Sequence, residues 1–116
     1  MNSFRFSAIN PLLHNELRLK IMVALDSVSK LDFMYLCDIT EATRGNVSIQ
    51  LKLLRDAGYI NLIKTGSGCA SHTLCNITDQ GHDALYAYEI GLQELFAQKV
   101  PEQAYPDSIE EQKQIG

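Results

Sequence analysis

The segment from Asn46 to Ile77 constrains this chain most. Val47, Leu51 and Leu54 fall at i, i+4 and i+7 within Asn46–Ala57, one apolar stripe of a helix. Gly58 follows at once, and glycine is the residue that most readily closes a helix in the left-handed conformation. Two β-forming runs come next, Tyr59–Thr65 and Ser71–Ile77, separated by Gly66-Ser67-Gly68. They read as a β-hairpin with a flexible tip. The rest of the chain has to be placed around this helix–hairpin unit.

Upstream, Asn10-Pro11 reads as a helix start, with Asn as N-cap and Pro in the first helical position. A first helix is expected over Pro11–Ser27, with Leu13, Leu17, Ile21, Ala24 and Val28 on one face. Leu12, Leu19, Met22 and Val23 lie off that stripe, so this helix is expected to be covered on more than one side. The cover could come from the N-terminal arm (Phe4, Phe6, Ile9), the last helix or a second subunit. Ser29-Lys30-Leu31 reads as a link. Asp32 can cap a second helix over Phe33–Thr40, with Phe33, Leu36 and Cys37 inward, and Thr40–Gly45 reads as a turn. Thr78 caps a last helix that runs through Leu85, Tyr88, Leu92, Leu95 and Phe96 to about Lys99, with Gly81 merely tolerated in its first turn.

A length of 116 residues with 46% apolar content suits one domain with a real core. The expected division is a folded unit over 1–99 and an acidic, disordered tail over 100–116. The net charge of −4 is unevenly spread. Residues 1–100 hold nine Lys/Arg and ten Asp/Glu, whereas the tail carries Glu102, Asp107, Glu110 and Glu111 against Lys113. Between Thr43 and Lys64 the basic residues Arg44, Lys52, Arg55 and Lys64 face Asp56 alone. The local field, not the sum, governs attraction of a polyanion. No apolar run is long enough to span a bilayer and no secretory leader is evident, so a cytoplasmic location is expected. Cys37, Cys69 and Cys75 are an odd, low number, expected to stay reduced.

The order helix, helix, helix, hairpin, helix is that of a winged helix-turn-helix: a mainly α (α+β) fold with a three-helix core, a hairpin wing and a C-terminal helix suited to dimerisation. Three stretches carry a resemblance. They are Asn10–Ile21, then Leu31-Asp32-Phe33 with Gly45–Ile60, then Leu74–Leu85. In that order they resemble the opening helix, recognition-helix block and post-wing segment of small winged-helix transcriptional regulators related to the MarR-type family, over about residues 9–97. The resemblance implies a dimeric regulator that binds double-stranded DNA. By position it places Arg44, Asn46, Ser48, Gln50 and Lys52 toward the groove and Lys64 and Ser67 on the wing. The expected dimer contacts are Leu12, Leu19, Val23, Tyr88, Leu92, Leu95 and Phe96. The chain departs from the pattern at Ile49 and Leu53, where the family often has basic residues, and in the wing tip Gly66–His72, which has no Lys or Arg.

Independent of the resemblance, Arg44, Ser48, Lys52 and Arg55 lie within about a quarter-turn of one another at 100° per residue. Gln can pair bidentately with adenine, Lys and Arg suit phosphate or guanine, and the helix-start amides near Asn46 could hold a phosphate. Cys69, His72 and Cys75 have a C-x2-H-x2-C spacing, but on a strand residues 72 and 75 point to opposite faces. Beyond a distant His82 no fourth ligand offers itself, so Cys75 reads as core and Cys69 as an exposed thiol. His14 and His82 read as surface or interface residues. Tyr86, Tyr88 and Phe96 read as core or dimer residues, with an aromatic ligand pocket between subunits as the other use. No nucleophile–base pair, paired carboxylates or phosphate-binding loop appears, so neither enzyme activity nor a cofactor or metal is expected. The rival expectation is a protein-docking winged helix, which the apolar Ile49 and Leu53, the uncharged wing tip and the acidic tail would suit.

Overall fold

The computed structural model describes residues 3–104. In chain order the elements are α1 (Glu16–Asp26), β1 (Leu31–Asp32), α2 (Phe33–Thr40), α3 (Arg44–Asp56), β2 (Ile60–Thr65), β3 (His72–Ile77) and α4 (Asp79–Ala97). Short 3-10 turns cover Gly68–Ala70 and Glu102–Ala104. The tail expected to be disordered lies outside the described residues from 105 onward.

Each helix opens on a side-chain cap, which satisfies amides that have no intrahelical partner. Asn15, Asp32, Thr43 and Thr78 accept from the backbone amides of Arg18, Met34, Asn46 and Gly81 respectively. The cap at Asn15 corrects the expected start of the first helix. Asn10 does cap something, since its Oδ1 accepts from the Leu12 and Leu13 amides at 2.9 and 3.4 Å. What it caps is one isolated turn, after which a second cap restarts the chain as α1. The inward face changes accordingly to Ile21, Met22 and Leu25, with Leu13 buried from the preceding turn. Val28 lies past the helix end and is exposed.

The helix α3 begins at Arg44, two residues earlier than expected, because Thr43 supplies the cap. Its end is a Schellman motif. Gly58 has φ 84°. Its amide donates to Arg55 O at 2.9 Å, and the Tyr59 amide donates to Leu54 O at 3.0 Å.

The hairpin pairs Ile60 with Ile77 through to Thr65 with His72, antiparallel. Leu31–Asp32, read from sequence as a link, forms a third strand on the other edge of β3, with Leu31 opposite Cys75 and Asp32 opposite Leu74. Two residues show no periodicity; the free edge of β3 makes them a strand.

The core gathers Leu13, Ile21, Met22, Leu25, Leu36, Val47, Leu51, Leu54, Ile60 and Cys75, all at most 2% exposed. Burial pushes the Cys75 thiol up to about 11, so it is an inert apolar filler. The N-terminal arm lies along α4. The Ser7 amide donates to Gln98 Oε1 at 2.9 Å, and Ile9 packs on the core beside Gly91. The helix α4 packs on α1, and of the second apolar set Met22 is buried, Leu12 and Leu19 are half-buried and Val23 stays exposed.

One junction ties the wing to the last helix. The Thr78 amide donates to Tyr59 O at 2.9 Å and the Thr78 hydroxyl to Gly58 O at 2.7 Å. Gly81 packs so closely there that a Cβ would stand 2.1 Å from Tyr59 O. Glycine is therefore required at 81, not merely tolerated. Gly81→Ala should lower the unfolding free energy by about 1–3 kcal/mol in urea titration, because the obstacle is backbone and cannot swing aside.

His82 Nδ1 lies 2.6 Å from Asp26 Oδ1, linking the start of α4 to the end of α1. The hydrogen bond to Asp26, reinforced by its charge, raises the His82 pKa above 6.5. This contribution to stability is full below pH 6.5 and is lost as pH rises through the raised native value. NMR titration should place His82 above 6.5, and Asp26→Asn should return it toward that value.

Candidate nucleic-acid interface

The inward face of α3 is set by Val47, Leu51 and Leu54, all at most 2% exposed. At 100° per residue this fixes where every other side chain of the helix stands. Arg44, Ser48, Lys52 and Arg55 form one rim, on the side of the wing. Asn46 and Gln50 fall about half a turn away, on the side of α1. Between them, the outermost strip carries Gly45, Ile49, Leu53 and, at the helix end, Asp56.

The wing-side rim and the hairpin enclose a groove. Ser48, Lys52 and Arg55 line it from α3, Lys64 from β2 and Thr73 from β3, over a floor of Phe33, Leu51 and Leu62. No carboxylate lines it. Arg44, Lys52 and Lys64 are exposed and make no ion pair among the described residues. Arg55 meets Asp56 at 3.2 Å, but both side chains are largely exposed, and such pairs contribute at most about 1 kcal/mol. Among the described residues, Arg44 and Lys52 on the rim and Lys64 on the wing are therefore cations without an internal ion pair, and Arg55 is only weakly held.

The opposite rim is already engaged. Gln50 Nε2 donates to Asn46 Oδ1 at 2.9 Å, and Gln50 Oε1 accepts from Arg18 Nη1 at 2.5 Å. Arg18 is held in turn by the Leu12 carbonyl, to which its Nε donates at 2.6 Å. Asn46 borders a separate crevice with Asn15, Lys20 and Thr40–Thr43. Its amide is occupied by Thr43 Oγ1 at 3.1 Å, so any anion at the helix start would meet the amides of Arg44 and Gly45 instead.

Of the seven expected contact residues, then, the structure brings Ser48, Lys52 and Lys64 into one groove. It sets Arg44 on the same rim, turns Asn46 and Gln50 to the other side, and leaves Ser67 alone on the exposed wing tip. Arg55 belongs with the first group. Its spacing from Lys52 and Arg44 was the available signal.

The wing is braced near its tip end, at the start of β3. His72 Nδ1 lies 3.6 Å from Asp32 Oδ2, across the β1–β3 edge. Cys69 is exposed in the wing-tip turn while Cys75 is buried. Among the described residues no cluster of three or more His, Cys, Asp or Glu is placed to hold a metal ion.

With this geometry in hand, comparison with known proteins is specific. The family model of a winged helix DNA-binding domain matches residues 17–96, and the chain belongs to that family. Its fold is that of MarR- and PadR-type regulators. The structure is similar to that of a transcriptional regulator homologue from Pyrococcus horikoshii OT3, at 25% identity and TM-score 0.68, over 73% of this chain and 84% of that one. It shares its fold with Bacillus subtilis PadR, solved in complex with operator DNA (20% identity, TM-score 0.58, 87% of this chain and 60% of that one). The same holds for Sco3205, a MarR family transcriptional regulator from Streptomyces coelicolor solved in complex with DNA (21% identity, TM-score 0.59, 86% and 68%). Comparison with curated protein sequences finds no match.

Arg18 is a structural strut of the site and Lys52 is a free cation. Arg18→Ala should reduce stability by about 1–3 kcal/mol, the range for charge-assisted hydrogen bonds. Lys52→Ala should change it by no more than about 0.5 kcal/mol. Urea denaturation of the two variants checks the contrast.

Proposed function

We propose that this chain is a transcriptional regulator that binds duplex DNA as a homodimer, laying α3 in a major groove with the wing against the adjacent backbone. The observation that carries the reading is the groove in which Lys52 and Arg55 from the helix and Lys64 from the wing surround Ser48 with no carboxylate among them. Two successive elements, α3 and β2, present the same sign of charge to one space. That is the footprint of a polyanion site.

The roles divide by chemistry. Arg44, Lys52, Arg55 and Lys64 contact phosphates and set the register of the protein on the duplex. Ser48, half-buried at the rim, reaches a base edge. Ser67 approaches the backbone from the wing tip. Asn46 and Gln50 act through the Arg18 network, holding the pose of α3 relative to α1. The net acidity of the chain does not oppose this, because no carboxylate lines the groove, and Asp56, which pairs with Arg55, is largely exposed outside it.

Dimerisation uses the other side of the molecule. Leu19, Val23, Leu85 and Leu92 line an apolar groove between α1 and α4. Val23 is 55% and Phe96 77% exposed. With Leu12 and Leu95 they form the face we assign to the second subunit. Tyr88 belongs to the protomer's own core, where it is 5% exposed and shares a 2.9 Å hydrogen bond with His14. The role is binding rather than catalysis. No helix among the described residues is long and apolar enough to cross a membrane, in keeping with a cytoplasmic site of action.

Selection of bound sequences from a random duplex pool tests the whole reading, and an inverted repeat is the expected product. Lys52→Ala and Lys64→Ala should each weaken binding to every sequence and reduce the slope of log affinity against log salt by about 1. Gel-shift titration at several salt concentrations measures this; an unchanged slope removes the residue from the interface.

A further inference from the structure

The outermost strip of α3 is apolar at its middle, Ile49 and Leu53, where a groove-reading helix is usually polar, and ends on the exposed Asp56. Ile49 is 58% exposed and Leu53 43% exposed. They stand one turn apart, pointing away from the buried Val47, Leu51 and Leu54. Gly45 continues the strip one turn earlier, with no atom within 4 Å of where its Cβ would stand. The cations Arg44, Lys52 and Arg55 run along one flank of this ridge and the polar pair Asn46 and Gln50 along the other.

Two apolar side chains on a convex ridge are far smaller than the roughly 800 Å² per partner that a stable protein–protein interface buries. Their cationic flank also favours a polyanion over a protein surface. In a major groove the apolar feature available to such side chains is the 5-methyl group of thymine. We propose that Ile49 and Leu53 read thymine methyl groups, so that this chain selects A·T pairs in its half-site by apolar contact at the crest of α3. The assignment rests on α3 occupying the major groove. A bare helix start at Gly45 lets that end of the ridge approach the base edges without a side chain between.

The test uses the duplex recovered by selection, resynthesised with deoxyuridine in place of thymine at each position in turn. That exchange removes the methyl group and leaves the pairing edge intact. At one or two positions per half-site, wild-type affinity should fall about fourfold, the value of one buried methyl group. Ile49→Ala and Leu53→Ala should lower affinity for the thymine duplex and abolish the difference between thymine and uridine at their positions. Both sites are exposed and alanine favours helix, so the fold should be retained. The wild-type comparison needs no variant in any case.

Uridine substitution without effect, or an effect that persists in the double variant, overturns the proposal. So does a recovered site with no thymine in its half-sites, or a role for the ridge in holding a protein partner while DNA affinity stays unchanged. Lys52→Ala separates the two levels. If it weakens binding while uridine is silent, methyl reading alone fails; if it too is silent, α3 is not on the DNA and the broader reading fails with it.

Discussion

The carbonyl of Tyr59 is the point on which the two halves of the molecule turn. It lies just past the Schellman end of α3, and the Thr78 amide donates to it where β3 ends. Gly81, in the first turn of α4, packs directly against it. The Tyr59 hydroxyl, at the far end of the same residue, accepts from Asn10 Nδ2 at 2.9 Å. One residue thus fixes the end of α3, the root of the wing, the start of α4 and the turn before α1. Backbone contacts of this kind permit little adjustment, because no side chain can rotate to relieve a misfit. The angle between α3 and the wing, and therefore the groove between them, follows from this junction.

The groove shows how a net acidic chain can present a cationic surface. Arg44, Lys52 and Arg55 come from one side of one helix, and Lys64 reaches the same space from β2. Asp56 pairs with Arg55 beside the groove without lining it, and other carboxylates are committed elsewhere. Asp32 caps α2 and faces His72, while Asp26 holds His82 on the far side of the fold. Charge is thus sorted by position. Over distances shorter than the screening length of about 8 Å in physiological salt, it is the local arrangement that a phosphate backbone meets.

The other exposed feature is the apolar surface of α1 and α4. Leu19 and Val23 form a ridge shared by two shallow depressions, one toward Leu85 and Leu92 and one toward Ile39. This exposed apolar surface shares no residue with the cationic groove, as the proposed self-association requires. The tie from Arg18 to Gln50 and the packing of α1 on α3 connect the two sides through a single helix.

Read alone, the sequence determined the element order, the inward stripe of α3, the glycine that stops it, the hairpin and the caps at Asp32 and Thr78, because each is a local pattern within a turn or two of chain. It also located the row Arg44, Ser48, Lys52 and Arg55, since helical spacing alone puts those residues together. Tertiary structure decided what depends on neighbours distant in sequence. Leu31–Asp32 became a strand through the free edge of β3, and the first helix started at Glu16 and not at Pro11 because Asn10 caps only an isolated turn and Asn15 caps the helix that follows. Gly81 proved indispensable because of a carbonyl 22 positions earlier. Gln50 bonds Arg18 and Asn46 bonds Gln50, ties that exist because α1 packs beside α3. The physical reason is the same throughout: propensity and periodicity act along the chain over a few residues, whereas strand pairing, close backbone approach and side-chain hydrogen bonds across elements exist only once those elements have met.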